Sequence, residues 1–250
     1  MTEWEDEGIV LSVRPHGETG GVVSLLTRDH GRAVGYVYGA VSTRTRATLE
    51  PGTLVSARWQ AKSREQLGTF TLELEKSHTG SVLDDSLKLT ALQSACVLAD
   101  KTLPEREKHA GVFEGLKVLL SVFGTEIWPA AYIYWELGLL KELGFGLDLS
   151  KCVATGESEN LIYVSPKSGC AVSAAAGFVY KEKMLQLPPF LRGESGLEDV
   201  DILNGLRLTG HFLLHRVFSQ ANTNLPEPRL RLEDKYGQKV FKSSEPAAVS

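Results

Sequence analysis

The sequence predicts an α+β protein with more than one domain, an N-terminal β-barrel followed by a mainly helical part that carries a hairpin insert. Two observations predict it: apolar and polar residues alternate in five short runs over the first eighty residues, and after Gly80 the apolar period becomes helical. A third is a stretch rich in Gly, Ser and Pro that interrupts the helical part.

The five runs are Ile9, Leu11 and Val13; Val23 and Leu25; Val34, Tyr36 and Tyr38; Val55, Ala57 and Trp59; and Phe70, Leu72 and Leu74. Each set is expected to line one face of a half-buried strand. Turn signals separate them at Pro15-His16-Gly17, Asp29-His30-Gly31 and Glu50-Pro51-Gly52, where glycine supplies positive φ and proline pre-sets a bend. Five strands at this spacing suggest a barrel or a sandwich over residues 1–80, and strands this short need closure or partners to hide their edges.

Helices follow. Leu87, Ala91, Ala95 and Leu98 lie at helical spacing, with Asp84 and Asp85 favourable in the first turn and Pro104 stopping the run. Val112, Leu116, Leu119, Leu120 and Phe123 mark a second helix. Ile127, Ala131, Tyr134 and Leu137 mark a third, ending near Leu143-Gly144-Phe145-Gly146, and Leu203, Leu206, Gly210, Leu213 and Val217 a fourth. Their apolar faces are expected to bury one another in a helical domain over residues 81–240, with a non-helical insert at about 148–191. The tail, 241–250, holds Ser, Pro and Ala with little to bury and reads as disordered.

A chain of 250 residues has room for two cores. No run reaches the roughly 20 apolar residues of a membrane-spanning helix. The start Glu3-Trp4-Glu5-Asp6-Glu7 is the opposite of a signal peptide's basic end, and three cysteines do not make a disulfide framework. A reducing, cytoplasmic setting is the expectation.

The net charge of −4 means that attraction to a polyanion must come from a local patch. Arg44, Arg46, Arg58, Lys62 and Arg64 face only Glu50 until Glu65 is reached, and Arg14, Arg28 and Arg32 sit at strand ends or turns. Interleaved with Tyr36, Tyr38 and Trp59, these cations offer phosphate contacts and flat surfaces on which bases stack, neither of which reads sequence. The competing reading makes the arginines solubilising and the aromatic rings core.

Within the insert, Cys152 is followed three positions on by Thr155, and Cys170 by Ser173, the spacing of a four-cysteine zinc knuckle with the second member of each pair replaced. Leu161-Ile162-Tyr163-Val164, the turn Ser165-Pro166-Lys167-Ser168-Gly169 and Ala171-Val172 read as the hairpin on which such a knuckle is built. Hydroxyls are poor zinc ligands, so a degenerate, zinc-ribbon-like hairpin with no metal is expected. Cys96, on a helix, reads as a small core residue. His211 and His215 stand at i and i+4, but Phe212 occupies the place of the glutamate in H-E-x-x-H. No Gly-Lys-Ser/Thr run offers a phosphate-binding loop, and Lys167 stands one residue too close to Ser165 for an S-x-x-K pair.

The start Trp4 to Leu11 with His16-Gly17-Glu18-Thr19 and His30-Gly31, the segment Glu136 to Asp148, the hairpin Val164 to Gly169, and His215 with Leu225-Pro226-Glu227 together resemble the RecO family of bacterial DNA repair proteins. The resemblance runs from about residue 1 to residue 234. It implies an N-terminal OB-fold, a helical domain, and a zinc element that some members keep with four cysteines and others have lost. It further implies a non-catalytic recombination mediator of the RecF pathway, without cofactor, at repair sites on the bacterial nucleoid. Such a protein binds single- and double-stranded DNA, anneals complementary strands and engages RecR. It also recognises the acidic C-terminal tail of the single-strand-binding protein, so that RecA loads at gaps. An acidic tail with an apolar end needs an apolar groove bordered by cations, for which Lys117, Arg207 and Arg216 are candidates. The alternatives are an RNA-binding OB protein and a metal-dependent hydrolase built on His211 and His215.

Overall fold

The computed structural model describes residues 2–63, 66–78, 80, 82–194 and 197–244, with the backbone alone at positions 44 and 244. The chain divides into two compact units, Met1–Thr125 and Glu126–Ser250.

In the first unit, β1 (Thr2–His16), β2 (Gly20–Thr27), β3 (Gly31–Val37), β4 (Leu54–Ala61) and β5 (Gly68–Lys76) close into a barrel in the order β1-β2-β3-β5-β4. Every neighbouring pair is antiparallel except β3 with β5, which meet in parallel at Gly35–Gly68 and Tyr36–Thr69. The order and the parallel closure are those of an OB-fold. Its core is Val10, Val23, Leu25, Ala33, Val37, Val55, Ala57, Trp59 and Phe70, with Trp4 and Val13 packed against it.

Two of the expected strand faces are corrected by this core. A register shift between Val10 and Ser12 places Val10 and Val13 inside, so Ile9 and Leu11 are buried on the outer side, where helices cover the barrel. In β3 the small residues Ala33 and Gly35 point inward, because Phe70 fills the space in front of Gly35, and Val34 and Tyr36 therefore face out.

A short helix α1 (Thr43–Arg46) lies in the β3–β4 connection, followed by α2 (Ser86–Thr102) and α3 (Ala110–Val122). Asp85 caps α2, its carboxylate accepting from the backbone N–H of Leu87 and Lys88. Helix α2 packs on the barrel. The Cys96 thiol donates to the Val10 carbonyl at 3.8 Å, and Asp100 accepts from the hydroxyls of Ser12 and Ser24 at 2.8 and 2.6 Å. Burial pushes the Cys96 thiol up to about 12, as befits a core residue. The last barrel strand ends at Lys76, and the compact unit continues to Thr125 because α2 and α3, expected in the helical domain, group with the barrel.

The second unit holds α4 (Trp128–Glu142), β6 (Leu161–Val164), β7 (Ala171–Ser173), α5 (Ala174–Gly177), β8 (Leu185–Gln186), α6 (Asp199–Phe212) and α7 (Glu227–Ser244). The buried face of α4 is Trp128, Tyr132, Ile133, Trp135, Glu136, Leu139 and Leu140; of the expected face, Ile127 and Tyr134 are exposed and Ala131 and Leu137 half-buried. Arg229 of α7 and Glu136 of α4 are both 0% exposed and joined at 2.5 Å. Arg229 also donates to the Leu206 carbonyl and the Thr209 hydroxyl of α6. Burial alone would lower the Arg229 pKa, but Glu136 and its neighbours hold it above the ordinary arginine value.

The tail expected from residue 241 is corrected in part: α7 continues through Ser244, two positions before Pro246, and residues 245–250 lie outside the described residues. Among the described residues no helix is long and apolar enough to cross a membrane.

Candidate nucleic-acid interface

Strand register brings part of the cationic set together. Arg14 of β1 pairs with Val22 of β2, Val22 with Tyr36 of β3, Tyr36 with Thr69 of β5, and Thr69 with Gln60 of β4. Partners in a ladder point to the same side, so Arg14 and Tyr36 share one row on the outer face, and exposed Lys62 follows two residues beyond Gln60. Arg14 is 78% exposed and reaches Asp100 only at 3.8 Å.

Aromatic rings stand in the same place. Tyr36 packs edge-on to Tyr38 at 4.9 Å and to His16 at 6.1 Å. Tyr38 is 73% exposed. Gly20 makes this possible, because a Cβ there would overlap the Tyr36 hydroxyl. The β3–β4 connection is tied beside the β1–β2 turn by the Val41 N–H donating to the Thr19 carbonyl at 3.3 Å. Ser42 caps α1, and the Thr45 hydroxyl donates to the Gly39 carbonyl, which leaves Arg46 exposed at this end of the barrel. Among the described residues no ion pair engages Arg46 or Lys62.

Other members of the expected set are occupied within the protein. Arg28 pairs with Glu7 and Glu114, and Arg58 with Glu3 and Glu5. Arg32 is 16% exposed, donates to the Leu103 carbonyl at 2.8 Å, and reaches Asp100 and Glu105 at 3.5 Å. Trp59 is corrected as an outward stacking platform: it is 3% exposed, and its Nε1 donates to the Val34 carbonyl at 3.3 Å. Arg64 and the side chain of Arg44 lie outside the described residues.

Sequence reasoning gives His16, Trp4 and His30 a place in the turns, the acidic start and the family resemblance but no binding role; Trp4 and Asp6, alternating within an acidic run, are the signal that the strand begins at residue 2.

The insert contains the expected hairpin, β6 against β7, with β8 as a third strand. Its cysteines do not fit a tetrahedral zinc. The Ser173 hydroxyl caps the short helix α5, the Thr155 hydroxyl lies 3.2 Å from a Glu157 carboxylate oxygen, and the Cys170 sulfur points to the Ser168 carbonyl. Cys152 is buried and accepts from the Ser173 backbone N–H at 3.3 Å. Burial pushes its thiol up, but hydrogen bonds from the Thr155 side chain, both Ser173 groups and the Ala154 backbone outweigh that and bring it down to about 6.

His211 and His215 have ring centroids 4.4 Å apart, with His211 Nε2 at 3.3 Å from the Pro166 carbonyl. Among the described residues no group of three or more His, Cys, Asp or Glu side chains is placed to hold a metal ion. Of the proposed groove borders, Lys117 donates to Glu7 at 2.6 Å and Arg216 to the Lys167 carbonyl at 2.5 Å. Arg207 is exposed and lines a hollow of about 440 Å³ with Leu203, Phe241 and Lys242 between α6 and α7.

Residues 1–78 match the family described as "Recombination protein O N terminal" and residues 83–224 the family described as "Recombination protein O C terminal". The chain is 50% identical over 236 residues to the DNA repair protein RecO of Rhodospirillum centenum, covering 94% of each chain. It is 50% identical over 238 residues to that of Caulobacter vibrioides strain NA1000, covering 94% of this chain and 98% of that one. It is also 40% identical over 240 residues to that of a Ruegeria species, covering 95% and 100%. With an OB barrel followed by helices, and with matches across both parts, the chain belongs to the RecO family of DNA repair proteins.

Proposed function

We propose that this chain is a non-catalytic recombination mediator that grips DNA by its phosphates at the Arg14–Tyr36 end of the barrel. One observation carries the reading: Arg14 shares an outer row with Tyr36, on which Tyr38 packs, and Arg46 and Lys62 are exposed, whereas Arg28, Arg32 and Arg58 are held by carboxylates. Annealing needs two backbones neutralised at once with base edges left free, which a cationic and aromatic surface does without sequence readout. Both single- and double-stranded DNA suit such a surface, and single strands gain stacking on Tyr38 in addition. For the single-strand-binding protein's acidic tail, the hollow between α6 and α7 sets the cations Arg207 and Lys242 beside Leu203 and Phe241, with Glu233 and Asp234 also in its lining. RecR is the further partner of this reading, and RecA is served indirectly, in the bacterial cytoplasm.

The test is strand annealing in the presence of single-strand-binding protein, comparing wild type with the variant Arg14→Glu, Arg46→Glu, Lys62→Glu. The expected result is a rate lower by on the order of tenfold or more, with the fold retained. Unchanged annealing would move the site elsewhere. RNA competing as well as single-stranded DNA across a salt titration would favour the RNA-binding alternative.

A further inference from the structure

The barrel has a seam. Because β3 meets β5 only at Gly35 and Tyr36, the edge of β3 before them takes other partners. The Arg106 N–H donates to the Arg32 carbonyl at 2.8 Å, and Trp59 Nε1 donates to the Val34 carbonyl. Gly31 admits this segment, since a Cβ there would overlap the Glu107 backbone, and its φ of 68° suits glycine. In the seam lies a cavity of about 320 Å³ lined by Trp4, Trp59, His30, Val34, Arg106 and Lys108.

The rings in this cavity are nearly parallel. Trp4 stacks on His30 at 4.3 Å and 8°, and on Trp59 at 5.6 Å and 13°. The Arg106 guanidinium sits 5.8 Å from the centre of the Trp59 ring. His30 is held in place by Asp6, whose carboxylate lies 2.9 Å from Nδ1 and accepts from the backbone N–H groups of Asp29 and His30. The formal charges of the lining balance, Glu3 and Asp29 against Arg106 and Lys108, and Lys108 is paired with Asp29 at 2.6 Å. A balanced lining gives an anion no advantage, whereas flat, electron-rich faces favour a planar, uncharged heterocycle.

We propose that this cavity takes one unpaired nucleobase of a bound single strand, stacked against the Trp4–His30 pair, with the phosphates outside. The proposal rests on the DNA-binding reading above and adds a contact that duplex DNA does not make, because paired bases stay inside the helix. Val34, which walls the cavity, and Tyr36 stand two residues apart on one face of β3, about 7 Å. A strand lying over Tyr36 therefore reaches the cavity without leaving the sheet. Completion of a duplex withdraws the base, so annealed product is held less tightly than either single strand.

The test measures binding of a thymidine oligonucleotide and of an abasic strand of equal length to wild type, Trp4→Leu and Val34→Trp. The last variant plugs the cavity from its wall and leaves the ring stack intact, which covers the case in which Trp4→Leu fails to fold. Both variants are expected to weaken the base-bearing strand by on the order of tenfold and to leave the abasic strand unchanged. A Val34→Trp protein that keeps the full preference for bases would overturn the proposal while leaving phosphate binding standing. Wild type that binds neither strand would overturn the DNA reading and this one with it. Tryptophan quenching by free thymidine but not by the oligonucleotide would assign the cavity to a free nucleoside and also overturn it.

Discussion

Arg229 and Arg14 mark the two extremes of what a guanidinium does in this chain. Arg229, between α4, α6 and α7, has no exposed surface and gives its donors to Glu136, the Leu206 carbonyl and Thr209. Arg14, on the outer face of the barrel, is 78% exposed and nearly without a partner. Arg28, Arg32 and Arg58 lie between them, on the surface but held by carboxylates. The comparison teaches that a count of cations along the sequence is not a map of available charge: what matters is which of them the fold has already neutralised.

The strongest way to break the comparison is at Arg229. Arg229→Met leaves Glu136 charged and buried without its partner, and should cost about 3–5 kcal/mol in urea unfolding. Replacing both, with Glu136→Leu added, should recover most of that loss. If the single variant were as stable as wild type, the buried pair would not be the clamp described here. A smaller effect is expected at the exposed end. Tyr38→Ala should weaken single-stranded DNA binding by about 1–3 kcal/mol in a titration at fixed salt, with little change for duplex. Equal losses for both forms would argue against base stacking there. Smaller again, Arg28→Gln and Arg58→Gln should each change DNA affinity by less than about twofold, because exposed ion pairs contribute about 0–1 kcal/mol and these arginines are already occupied.

A last prediction concerns Cys152. Its folded-state thiol lies at about 6 against an ordinary 9.0, so folding favours the thiolate. That contribution is complete above pH 9, declines as pH falls toward 6 and is absent below it. Thiolate absorbance should titrate near pH 6 in the native protein, and Cys152→Ser should flatten the rise of stability between pH 6 and 9. A native midpoint near 9 would remove the hydrogen-bond cage from the account.

The strands and the helices α2, α3, α4 and α6 are legible because alternation, turn glycines and helical spacing are local signals. The phase of β1 was not, since a bulge and the covering helices bury both of its sides near Ile9, Val10 and Leu11. In β3 the rule that large apolar residues face inward failed because Phe70 occupies the room in front of Gly35. Helix α7 was missed because a core position is held by Arg229, which reads as a surface residue until Glu136, far away in sequence, is seen beside it. For the same reason, the site was half legible. The sequence singles out Arg14, Tyr36 and Tyr38 as candidates, but not the partners that occupy Arg28 and Arg32: Glu7 sits in an acidic run of β1, and Glu114, Asp100 and Glu105 come from beyond the barrel.

The most direct test of the central claim is the salt dependence of single-stranded DNA binding in two multiple variants, Arg14→Gln/Arg46→Gln/Lys62→Gln and Arg28→Gln/Arg58→Gln. Each lost phosphate contact should flatten the slope of log affinity against log salt by about 0.7, so the first variant should lose about two units and the second almost none. Equal slopes in the two variants, or a larger loss in the second, would contradict the account.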